Sequence, residues 1–145
     1  LNCVLPNLFF MSDIFPYVGT ESYIINECED YLKISWKKQV VSEQIKEGLR
    51  ELLTLMRTSG KAKFLSDVSS CDSSWSSSNE WIVNHWLPEA LSLGLQKTSF
   101  LISDNLIQKV SVDNLFSKLK RKQSFIDRFF KIFSKEKEAL EWLSS

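Results

Sequence analysis

Phe64-Leu-Ser-Asp-Val-Ser-Ser70 and, after a serine-rich loop, Asn79-Glu-Trp-Ile-Val-Asn-His-Trp-Leu-Pro-Glu-Ala-Leu-Ser-Leu-Gly94 form the stretch that decides the fold. The run over 62–66 is too short and too apolar for a helix and reads as a buried strand ending at Asp67. The second part carries Ile82, Trp86, Ala90 and Leu93 at helical spacing along one side. Ser77 and Glu80 have the spacing of a capping box. Pro88 lacks a backbone N–H and clashes with the turn before it, so a kink or break is expected near Leu87, with Gly94 closing the segment. Between strand and helix lies 69–78, mainly serine with Asp72 and Trp75. A strand that runs into a polar loop over a helix start is where α/β proteins usually place their function.

Nearer the N-terminus, Tyr23-Ile-Ile is a short β-prone run and Glu27-Cys-Glu-Asp30 a polar turn. Tyr31 to Lys37 alternates apolar and polar residues, which sets Leu32, Ile34 and Trp36 on one face of a half-buried strand. The two runs predict an antiparallel hairpin. Ser42 is placed to cap a helix to about Thr58, with Val41, Ile45, Leu49, Leu52, Leu53 and Met56 as its apolar stripe and Gly60 as its end. Thr98 to Ile102 is a further strand. Ser103 or Asp104 caps a helix to about Leu119, expected to turn Leu106, Ile107, Val110, Leu115, Phe116 and Leu119 inward. Arg128 to Phe133 is the last strand, and Ser134 caps a last helix that buries Ala139, Leu140, Leu143 and Trp142. The order is β-β-α-β-α-β-α-β-α. It predicts an α/β fold with a mixed, mainly parallel sheet of about five strands and an antiparallel edge hairpin.

The chain has 145 residues, enough for one domain with its own core. Its 18 basic and 18 acidic side chains cancel, so the molecule as a whole is not built for polyanions. Cys3, Cys28 and Cys71 are odd in number and far apart, which argues against a disulfide framework and for a reducing, cytoplasmic setting. With one histidine they offer no zinc-ligand spacing, so no metal or cofactor is expected. Leu1 to Phe10 is apolar but lacks the basic start of a signal peptide and the length of a spanning helix, so no stable membrane insertion is expected. Residues 1–20 read as a leader that docks on the domain or stays loose; the alternative is an apolar arm that joins two subunits in a homodimer. Residues 21–145 read as a single domain.

The ordered pieces Leu65-Ser-Asp67, Glu80-Trp-Ile, Trp86-Leu-Pro-Glu-Ala, Gly94, Val112-Asp-Asn-Leu115, and Phe133 with Glu138-Ala-Leu-Glu-Trp-Leu143 give the chain a family likeness from about Ser22 to Leu143. It resembles the SpoIIAA-like group, which includes the STAS domains and is structurally similar to the lipid-binding CRAL-TRIO domain. More closely, it resembles small uncharacterised STAS-like proteins of bacteria, familiar from Bacteroidetes genomes. The resemblance implies a (βα) superhelix with strands in near-sequential order. It fixes no activity, because function lives in sites rather than folds. Anti-anti-sigma proteins of this kind place a phosphorylatable serine in an Asp-Ser-Ser/Ala-Gly turn before a helix. Asp72-Ser73-Ser74-Trp75 lies near that position, with Trp75 in place of the glycine, so Ser73 and Ser74 are the corresponding candidates.

The residues themselves nominate a candidate interaction loop of Asp67, Ser69, Ser70, Asp72, Ser73, Ser74 and Trp75. Asp67 either meets a ligand or satisfies the donors of the next loop. His85, Ser73 and Asp67 formally make up a triad, but no Gly-x-Ser-x-Gly elbow accompanies them, and no enzyme is expected. Trp81 and Trp86 lie about 140° apart around an α-helix, so they do not share one face. Trp81, Trp86, Phe100 and Phe116 are the candidates for a pocket or partner surface. The cluster Lys118, Lys120, Arg121 and Lys122 complements a helix C-terminus and has no aromatic interleaving, which argues against nucleic acid. The expected function is a non-enzymatic regulatory or protein-interaction domain of STAS type with a protein partner. The alternative is a binding module for a small apolar or lipid-like ligand, which requires a deep apolar cavity.

Overall fold

The computed structural model describes residues 18–145. Strands β1 (Val18–Gly19), β2 (Tyr23–Glu27) and β3 (Leu32–Trp36) are antiparallel neighbours. Strands β4 (Lys63–Asp67), β5 (Lys97–Leu101) and β6 (Phe130–Phe133) continue the sheet in parallel from β3, so strand order equals chain order. Helix α1 (Ser42–Ser59) links β3 to β4, and helix α3 (Leu106–Lys122) links β5 to β6. Helix α2, over 79–92, joins β4 to β5, and α4 (Glu136–Ser144) ends the chain. The α/β order, the mainly parallel sheet and the edge hairpin are those expected. β1 is an addition and falls within the segment read as a leader; the rest of that segment lies outside the described residues.

The sheet separates two apolar layers. Leu32, Ile34, Trp36, Phe64, Phe100 and Phe130 pack with α1, α2 and α3 in the larger one. Leu65 and Leu101 point the other way and meet Ala139 and Leu143 of α4. Alternation along each strand produces this division, since neighbouring side chains leave a strand on opposite faces. Gly48 lets α1 approach the sheet: a Cβ there would stand 2.7 Å from the Trp36 ring. That overlap outweighs the roughly 1 kcal/mol by which alanine is the better helix former.

Several local expectations are corrected. Val41, not Ser42, is the residue before α1; it is 62% exposed, and its N–H donates to the Gln44 side chain at 2.9 Å. Ser42 Oγ instead meets Ser78 Oγ at 3.0 Å. Ser77 makes no capping box, because 76–78 is a tight 3-10 turn that precedes the helix. Pro88 does not break α2. The helix widens to a π turn over Ile82–Trp86, with Leu87 N–H reaching back to the Ile82 carbonyl, and resumes as Leu87–Ser92 with Pro88 near its start. Asn105 caps α3 through a 3.0 Å bond from Gln108 N–H to Asn Oδ1. Lys135 precedes α4 in place of Ser134.

Burial expectations change as well. Leu106, Ile107 and Val110 are 75%, 44% and 54% exposed, while Gln108 and Ser111 of the same turns are buried. The cap at Asn105 sets this phase, and loop carbonyls described below require the Gln108 amide inside. Trp142 is half-buried: Ala139 and Leu143 take the inner face of α4, and the indole lies against Phe133 under the Lys97 and Lys131 ammonium groups. Cys28 is disulfide-bonded and Cys71 is a free, buried thiol. The expectation of no disulfide is thus overturned at Cys28, and with it goes the cysteine argument for a reducing compartment.

Candidate functional site

Strand β4 ends at Asp67 and releases the loop at the carboxyl edge of the sheet. Asp67 turns back on that loop at once: Oδ1 accepts Ser69 N–H at 3.0 Å and Ser69 Oγ–H at 2.5 Å. A carboxylate fixed this way shapes the turn. Ser73 is held at both ends by one residue, since its hydroxyl accepts Val40 N–H and donates to the Val40 carbonyl, each at 2.9 Å. Asp72 N–H donates to the Lys38 carbonyl at 2.8 Å, and the two side chains pair at 3.7 Å. The loop is therefore stitched to the segment between β3 and α1.

A second set of bonds fastens the loop to α3. Gln108 is 1% exposed and spends its whole amide on the surroundings. Its Nε2 donates to the carbonyls of Ser69 and Cys71 at 3.1 and 2.9 Å. Its Oε1 accepts Ser103 N–H and Ser103 Oγ–H at 2.8 and 3.0 Å. Ser111, fully buried, receives Trp75 N–H at 3.3 Å and meets Ser74 Oγ at 3.2 Å. Asn79, also buried, donates to the Ser111 carbonyl and to Asn114 Oδ1 at 3.0 and 2.9 Å. Sequence reasoning missed Gln108, Ser111 and Asn79; polar residues at core-facing helical positions were the signal available.

Trp75 anchors the loop from inside, being 6% exposed. Its φ of −114° is not left-handed, so the site does without the glycine that the resemblance would place there. Ser74 and Ser70 are exposed, Ser69, Asp72 and Ser73 half-buried. The N–H groups at the helix start are largely spoken for: Ser76 N–H donates to Ser74 Oγ at 3.2 Å and Ser78 N–H to the Trp75 carbonyl at 2.9 Å. Leu106, Ile107 and Val110 of α3 face solvent, and Val41 adjoins the Val40 that holds Ser73.

The formal triad does not assemble. Asp67 and Ser73 are engaged as above, and His85 is exposed in a groove between α1 and α2. The aromatic candidates do not share one pocket either. Trp86 and Phe100 line an interior apolar cavity of about 50 Å3, with Trp86 Nε1–H held by the Leu49 carbonyl at 2.8 Å. Phe116 packs edge-on against Phe100 and Phe130, and Trp81 belongs to the outer groove. Among the described residues no helix is long and apolar enough to cross a membrane, and no group of His, Cys, Asp and Glu is arranged to hold a metal. Lys118 pairs with Glu80 at 3.6 Å, while Lys120, Arg121 and Lys122 are solvated around the last turn of α3.

No protein-family model matches the chain, and comparison with curated proteins gave no match. Among solved structures, an anti-sigma factor antagonist from Mycobacterium paratuberculosis superposes with a TM-score of 0.57 at 9% identity, over 88% of this chain and 100% of that one. An uncharacterised protein with a SpoIIAA-like fold from Shewanella loihica gives a TM-score of 0.44 at 18% identity, over 87% and 98% of the two chains. The chain has the fold of the first of these, the SpoIIAA-like arrangement to which its sequence pattern pointed.

Proposed function

We propose that this chain is a STAS-type regulatory domain that works by binding another protein, without catalysing a reaction. The observation that carries the reading is the inverted start of α3: Leu106, Ile107 and Val110 face solvent while Gln108 and Ser111 are buried beneath them. Grouped apolar side chains beside a rigid loop fit a partner surface, which excludes water from such groups. The loop Asp67, Ser69, Ser70, Asp72, Ser73, Ser74 and Trp75 forms the polar side of that surface. The solved neighbour named above acts on an anti-sigma factor, a protein, and that supports a protein partner here. Of the two serines proposed for phosphorylation, Ser74 is the exposed one; a phosphate on Ser73 would cost both bonds to Val40.

An apolar or lipid-like ligand is disfavoured by size. Sites for such ligands run to about 300–1,000 Å3. The apolar cavity under the helices holds about 50 Å3.

Affinity capture with quantitative mass spectrometry tests the proposal. A Leu106→Asp/Val110→Asp variant should lose the partner that the wild type retains, with its thermal midpoint within about 2 °C of wild type, as for surface changes worth about 0.5 kcal/mol. Ser73→Ala/Ser74→Ala and Asp67→Asn variants map the polar side. Full retention of every partner by the α3 variant contradicts the assignment.

A further inference from the structure

A second site lies away from the loop. Helices α1 and α2 leave an open groove of about 420 Å3 between them. Arg50, Thr54 and Arg57 recur along one wall, and Trp81, His85 and Glu89 recur every four residues along the other. The rows run in the same direction. At one end the Arg50 guanidinium lies 5.2 Å from the Trp81 ring centre, and at the other Arg57 pairs with Glu89. Between these ends His85 and Thr54 face open space. His85 sits in the π turn, a distortion that in helices frequently marks a working site.

The charges in the groove are unbalanced. Glu89 is its single carboxylate and is taken by Arg57. Lys46, which lies 5.8 Å from the Trp81 ring, is paired with Glu43 at 3.6 Å. Among the described residues no carboxylate pairs with Arg50, whose contact is the indole face. A guanidinium presents a planar fork of donors suited to an oxyanion, and an imidazole adds one more donor within the same trough. The volume falls in the range of small-molecule sites.

We propose that this groove binds a phosphate-bearing small molecule. Arg50 and His85 take the phosphate, Arg57 closes the far end, and the edge of Trp81 bounds the organic part. The site is independent of the protein-binding face at the start of α3.

Inorganic phosphate is the probe, titrated into the 15N-labelled full chain at constant ionic strength and followed by NMR. The expected result is saturable movement of the Trp81 indole and the 82–86 amides. The Trp142 indole, which also lies under two lysines, should stay in place. Arg50→Gln and His85→Asn alter exposed side chains, and each should weaken binding by at least about tenfold, the scale of a charged hydrogen bond. Non-saturable shifts, an equal response to acetate, a Trp142 response matching that of Trp81, or wild-type affinity in both variants would overturn the proposal.

Discussion

Gln108 carries more of the site than any residue in the loop it supports. A side-chain amide has two donors and an acceptor with two lone pairs, and here it uses both donors and both lone pairs on Ser69, Cys71 and Ser103. Gln108→Ala strands two loop carbonyls and two donors from Ser103. Because each buried unsatisfied group costs about 1–3 kcal/mol, a loss of roughly 2–4 kcal/mol is expected in urea unfolding, allowing for partial rehydration. A loss below about 0.5 kcal/mol would show that the amide is not the loop's support. Tyr23 gives a pH-dependent expectation. Burial, and then the charge and hydrogen bond of Glu47, push its phenol from 10.0 up to about 12. The proton is thus held more tightly in the folded chain. Stability from this group is intact below pH 10 and is lost as pH rises from about 10 to 12, where the unfolded chain ionises first. The difference between wild type and Tyr23→Phe in denaturant midpoint should change across that window by an amount on the order of 2 kcal/mol. A pH-independent difference contradicts the shift.

At the scale of elements, the readable parts were those where one periodicity dominated. β3 alternates cleanly, so Leu32, Ile34 and Trp36 were placed correctly, and α1 buries its stripe from Ile45 to Met56. The start of α3 was misread for a physical reason. Leu106, Ile107 and Val110 look like a core stripe, yet the Asn105 cap and the hydrogen-bonding demand of a loop far away in sequence turn the helix over. Periodicity registers apolar surface; it does not register a loop carbonyl that needs a donor. The loop itself was legible as a strand–loop–helix junction, but its stitching to Val40, Gln108 and Ser111 spans more than thirty residues in sequence and leaves no local trace. The π turn was half legible, since Pro88 announced a distortion whose form depended on packing. α4 provides the element-scale prediction. Its Ala139 and Leu143 pack on Leu65 and Leu101, and its removal after Ser134 exposes that layer. The truncated chain should lose at least about 2–5 kcal/mol, the cost of a single large core side chain. An unchanged thermal midpoint would contradict the role given to α4.

For the molecule as a whole, the sheet acts as a platform with distinct working edges. Its carboxyl edge holds a loop fixed by hydrogen bonds to the β3–α1 segment and to α3, while its far face is closed by α4. Rigidity matters for binding, because a surface already ordered before contact loses less entropy on association. The groove between α1 and α2 lies on the helical side and carries charge where the loop face carries apolar area. On the proposed function, partners meet the start of α3 and not the α4 side. Site-specific photo-crosslinking in the native cell tests it most directly, with a benzophenone side chain placed at Ile107 in one variant and at Glu138, exposed on α4, in another. A discrete crosslinked protein adduct is expected from position 107 and none from position 138. Adducts from position 138 with none from position 107 would contradict it.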